Sequence, residues 1–167
     1  MNQTIVKKFH HLLEKDKQEN LEKRWNFFMS EEPEWTQRKL GFTPMVIEHK
    51  WAVIFIPAEG KDPEFAFTIG LYYNFKSPEI LIIGAGLDQD QYKRFLNSLG
   101  HLVKSGKKLQ AGVDYGPDIE LSVSLIFEKA NDKILKKFPY GYGGVFYTNF
   151  ADTGKTPPIL YKDLRNI

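Results

Sequence analysis

The sequence predicts an α+β fold: a mainly antiparallel sheet of five or six strands, one covering helix and an amino-terminal helical arm. From Met45 onward, short runs rich in β-branched and aromatic residues are bounded by Gly, Pro, Asp or Asn. A single long stretch with helical periodicity interrupts them at residues 88–105. Residues 3–29 carry helical periodicity as well, ahead of any strand. With 167 residues, 42% of them hydrophobic, the chain suits one well-packed globular unit.

In the arm, Ile5, Phe9 and Leu12 form one stripe, and Leu21, Trp25 and Phe28 another at i, i+4, i+7. The polar run "EKDKQEN" between them allows one long helix or two. "SEEPEWTQRKLGFTP" is a connection broken by Pro33, Gly41 and Pro44, so residues 1–43 read as arm and connection and 44–167 as the α+β unit. "MVIEHKWAVIFIP", "EFAFTIGLYY" and "PEILIIG" read as strands, and "WAVIFI", apolar on both faces, is expected at the centre of the sheet. The covering helix turns Tyr92, Phe95, Leu96, Leu99, Leu102 and Val103 inward. Asp88 and Gln91 have capping-box spacing at its start, and Gly106 suits its end. "IELSVSLIFE" alternates as a half-buried strand with Ile119, Leu121, Val123, Leu125 and Phe127 inward, and "NDKILKKF" reads as a short helix. The glycine- and aromatic-rich end is loop, with one short strand at 144–148.

Composition removes several chemistries. Lys and Arg total 23 against 21 Asp and Glu, and a formal charge of +2 is too small for a dedicated nucleic-acid surface. With no cysteine there are no disulfides, thiolate nucleophiles or cysteine metal sites. The amino terminus lacks a signal-peptide core and no run of 18 apolar residues occurs, so a cytoplasmic protein without a membrane partner is expected.

Nor do the motifs supply a cofactor. "GAG" at 84–86 lacks the third glycine of a dinucleotide turn, Gln89 standing there, and reads as a turn with a helix cap. "TGKT" at 153–156 has Asn149 where a phosphate loop needs glycine and is followed by Pro157 and Pro158, which bar the helix. There is no G-x-S-x-G elbow. The histidines, His10, His11, His49 and His101, have no spacing that converges two metal ligands. Lys133, Lys136 and Lys137 beside Phe138, Tyr140 and Tyr142 interleave charge and rings, a pattern that also describes a solvated helix face followed by an aromatic turn.

"FAFTIGLYY" holds the candidate site. Read as a strand, it has Phe65, Phe67, Ile69 and Leu71 on one face and the mostly smaller Ala66, Thr68, Gly70 and Tyr72 on the other. The smaller face leaves room either for a ligand or for neighbouring side chains. His49 and Trp51, two apart on the preceding strand, and Tyr140 and Tyr142, flanking a glycine, could converge there as an aromatic-lined ligand pocket. His49 with Asp114 would make an acid/base pair.

The same run resembles a bacterial family known as domain of unknown function 4262. In that family a Phe-Ala-Tyr-Thr-Ile-Gly-Leu strand precedes a His-Pro-Glu-Leu turn. Here these are "FAFTIGL" at 65–71, with Phe67 in place of the tyrosine, and "SPEI" at 77–80, with Ser77 in place of the histidine. The resemblance covers about residues 45–130. It implies a bacterial, cytoplasmic protein and carries no activity to transfer.

The leading expectation is a non-enzymatic binding module for a small molecule or protein partner, using Trp51, Thr68, Gly70, Tyr72, Tyr140 and Tyr142. The alternative is a hydrolase or transferase with His49 and Asp114 as the catalytic pair. A third reading makes "LEKRWNFF", residues 21–28, the surface of a homodimer.

Overall fold

The computed structural model describes residues 21–34, 41–138, 146–147 and 156–165. The chain divides into two compact units, one formed by Met1–Ala52 with Tyr140–Thr156, the other by Val53–Pro139 with Pro157–Ile167.

In the first unit, helix α1 (Leu21–Glu31) packs on helix α2 (Thr43–His49). Trp25 and Phe28 of the predicted stripe are buried, their rings 5.9 Å apart. The arm before Leu21 lies outside the described residues. Helix α2 corrects the sequence reading, which ran a strand through "MVIEH". Pro44 presets the first turn, Thr43 and Val46 bury one side, and Lys50, at φ 76°, closes the helix by donating its N–H to Val46 O. His49 therefore ends a helix and does not share a strand face with Trp51. Phe42 packs on Phe146 at 6.2 Å, and Phe146 on Tyr147 at 5.1 Å. Phe146 and Tyr147 are helical where a strand was expected; the rest of 144–148 lies outside the described residues.

The sheet comprises β1 (Ala52–Ile56), β2 (Phe65–Ile69), β3 (Glu79–Ile83), β4 (Glu128–Lys129) and β5 (Ile159–Asp163), in the order β1-β2-β3-β5-β4. β2 and β4 run antiparallel to β3 and β5 respectively, while β3 and β5 are parallel to each other. The α+β class with a mostly antiparallel sheet of five strands is thus present. The centre belongs to β3, whose five residues are all buried, and β1 lies at the edge. Apolarity on both faces of "WAVIFI" did not reveal strand order, because β5, read as loop, returns from far along the chain to pair with β3, and Val53–Ile56 are only half-buried.

Helix α4 (Gln89–Lys104) is the predicted covering helix, with the capping box of Asp88 and Gln91 formed and Tyr92, Leu96, Leu99 and Val103 buried. Helix α5 (Asp132–Lys137) also forms where expected, capped by Asn131 Oδ1 accepting from Ile134 N. Only the end of "IELSVSLIFE" reaches the sheet. Residues 117–119 form a 3-10 turn, and Ile119 and Leu121 both donate their N–H groups to Gly116 O. Val123 is left 64% exposed, whereas Leu125 and Phe127 are buried as predicted. Among the described residues, no helix is long and apolar enough to cross a membrane.

Candidate functional site

Strand β2 stops at Gly70. That residue sits at φ 111°, a conformation that a side chain would strain, and its carbonyl accepts from Asn74 N at 2.9 Å to begin the short helix α3 (Leu71–Phe75). Leu71 and Tyr72 are consequently helical, not strand residues, and the predicted small face ends two residues early.

Thr68 and Gly70 of that face are instead bonded to Glu79. The carboxylate is wholly buried at the start of central strand β3. Oε2 accepts from Thr68 Oγ1 at 2.6 Å, and Oε1 accepts from Gly70 N at 2.8 Å and Tyr72 N at 3.1 Å. Thr68 Oγ1 in turn accepts from Ile80 N at 2.9 Å, which leaves its proton for Glu79. A buried carboxylate is tolerable only when donors surround it, and two of these donors are first-turn N–H groups of α3. Thr68, Gly70 and Tyr72 are thus brought together, by a residue the sequence reading did not single out. A signal existed: "PEILII" places one acid at the head of an otherwise apolar strand, and such an acid needs hydroxyl or backbone donors nearby.

Asp114 has a comparable but exposed role. Its Oδ1 accepts from Gly116 N at 2.9 Å and Leu125 N at 2.8 Å, and its Oδ2 from Ser124 Oγ at 2.6 Å. The Ser124 hydroxyl, then the two backbone donors, hold its carboxyl below the usual carboxylate range. His49 is exposed in the first unit, 3.7 Å from Glu48, whereas Asp114 belongs to the second. Trp51 is buried in the first unit. Tyr72 is half-buried, with Lys76 Nζ 5.4 Å from its ring centre. Tyr140 and Tyr142 lie outside the described residues.

The "GAG" segment is irregular chain between β3 and the capped start of α4, with Gly84 at φ 62° and Gly86 at φ 68°. Its donors are occupied by protein groups: Gly86 N by Glu64 Oε1 at 2.6 Å, Ala85 N by the Tyr92 hydroxyl at 2.9 Å. Burial, chiefly, and the neighbouring Glu64 push the Tyr92 phenol up to about 12, against the lowering effect of the Ala85 bond. Among the described residues no group of His, Asp and Glu is placed to hold a metal ion.

A cleft of about 510 Å³ opens in the second unit where β5 begins and β4 ends. Its construction follows from the sheet order. Leu109 N donates to Ser77 Oγ at 3.4 Å, two residues before β3, and Gly112 N donates to Phe127 O at 3.0 Å, just before β4. Residues 109–112 form an arch that runs from Ser77, beside β3, to Phe127, beside β4, with β5 between those two strands. Tyr115 pins the arch by accepting from Gln110 N through its hydroxyl at 2.7 Å. Pro78, Leu109, Ala111, Ile159 and Leu160 supply apolar lining, and Gln110 and Lys129 add polar groups. The sequence gives no local sign of this cleft, because its walls come from four separate segments spread between Pro78 and Leu160.

The fold and the Glu79 cluster define an α+β domain in which the Thr-Ile-Gly-Leu segment, where β2 passes into α3, and the Pro-Glu start of β3 are one bonded unit. These are the two motifs of the family resemblance, and the profile of the domain of unknown function DUF4262 matches residues 45–150. The chain belongs to that family. Comparisons with curated proteins and with solved structures gave no match.

Proposed function

We propose that the protein is a non-enzymatic binding module whose small ligand is received in the cleft beneath the 109–112 arch. The observation that carries this reading is the shape of that cleft, concave, largely apolar and fringed by a few polar groups, in the size range of small-ligand sites. The commitments of Glu79 and Asp114 support it, since both spend their acceptor capacity on backbone and hydroxyl donors.

The test is thermal unfolding against a panel of amphipathic carboxylates, amines and neutral amides. A ligand at one hundred times its Kd stabilises the native state by about 2.7 kcal/mol, readily visible as a rise in Tm. At least one class should raise Tm saturably, and Ala111→Trp, which fills the cleft, should abolish the rise. If no compound in the panel shifts the wild-type protein, the binding reading fails.

A further inference from the structure

Three of the residues that line the cleft carry donor groups. Lys129 supplies an ammonium and Gln110 a carboxamide, both exposed, and Ala111 contributes a backbone N–H. None of the three is engaged in a hydrogen bond or ion pair among the described residues. The lining contains no Asp or Glu. Glu128, the acid adjacent to Lys129 in sequence, points elsewhere: in a strand successive side chains face opposite sides, and its Oε2 accepts from the Tyr161 hydroxyl at 2.9 Å. Among the described residues the cation at the cleft therefore has no counter-charge, while the apolar lining around it offers contact to hydrocarbon.

We infer that the cleft is selective for small organic anions with an apolar body and a terminal carboxylate, the carboxylate meeting Lys129 and the arch donors and the body lying against Leu109, Ala111, Ile159 and Leu160. This rests on the binding reading above and specifies its ligand class. The complementarity has two parts. An ammonium without a local acid favours an anion over a neutral group of the same shape and disfavours an amine. The arch, tied to Ser77 on one side and to Phe127 on the other, presents its donors with little ordering left to do.

The probe is the fluorescent sulfonate 8-anilinonaphthalene-1-sulfonate, titrated into the full-length protein and competed with octanoate or octanamide. The dye should bind saturably at one site, octanoate should displace it, and octanamide should do so at least several-fold less well. Because Lys129 is exposed, Lys129→Gln should weaken dye and octanoate by roughly three- to fivefold, and high salt should do the same. Ala111→Trp should remove the site, with Gln110→Trp as a second blocking variant should the first melt early. Equal competition by octanoate and octanamide, or unchanged affinity in Lys129→Gln, would overturn anion selectivity while leaving a cleft that binds. Dye binding as tight in both tryptophan variants as in wild type would overturn the assignment of the ligand to this cleft.

Discussion

Glu79 and Asp114 solve the same problem in opposite surroundings. Each carboxylate receives one hydroxyl and two backbone N–H groups, Glu79 from Thr68, Gly70 and Tyr72, and Asp114 from Ser124, Gly116 and Leu125. Glu79 does so with no solvent exposure at the head of the central strand, Asp114 in an exposed loop. Water can replace any donor lost from Asp114, but not readily one lost from Glu79. The same hydrogen-bond pattern is thus a keystone in one place and a loop fastener in the other.

The comparison breaks most sharply at Glu79. Glu79→Ala should cost about 3 kcal/mol or more, because it takes one acceptor from a buried hydroxyl, a buried N–H and a half-buried N–H. Urea unfolding would read it as a lower midpoint at unchanged slope. Glu79→Gln should recover part of the loss, since one amide oxygen can still serve Gly70 and Tyr72. If Glu79→Ala unfolds at the wild-type midpoint, the keystone role is wrong. Next comes Thr68→Val, which keeps the shape but strips Ile80 N of its acceptor and Glu79 of one donor, and should cost about 2 kcal/mol in the same assay.

A third effect lies at high pH. The Tyr92 phenol is raised from 10.0 to about 12 in the fold, so the neutral form is favoured there. Its contribution is full below pH 10 and is lost as pH rises toward 12. Stability should fall across that window, and Tyr92→Phe should flatten the fall; an identical pH profile in that variant would count against the assignment.

Asp114→Asn should be the mildest change, visible as a small drop in midpoint at neutral pH. The folded carboxyl sits below its usual value, so its contribution is complete above the unfolded value near 3.8 and disappears as pH falls through the folded one. The variant and wild type should therefore converge in acid. A gap that persists well below pH 3 would show that Asp114 acts through something other than its charge.

Legibility followed the range of the interactions. Helix α4 could be read with its cap, because Asp88, Gln91 and the inward stripe lie within one continuous segment. Helix α5 was legible for the same reason. "MVIEH" and "IELSVSLIFE" were misread because apolar spacing over so few residues fits strand and helix or loop alike, and the deciding partners were Pro44 with the Lys50 turn in one case and Asp114 in the other.

The sequence alone contained the α+β class, the covering helix and the two motifs shared with DUF4262. Only the folded chain decided that β5 pairs with β3, that Glu79 bonds Thr68 and Gly70, and that residues 109–112 line a cleft. The physical reason is that caps and amphipathic stripes are satisfied within a few residues of themselves. A buried charge and a concave surface are satisfied by whichever distant segments the sheet order brings alongside.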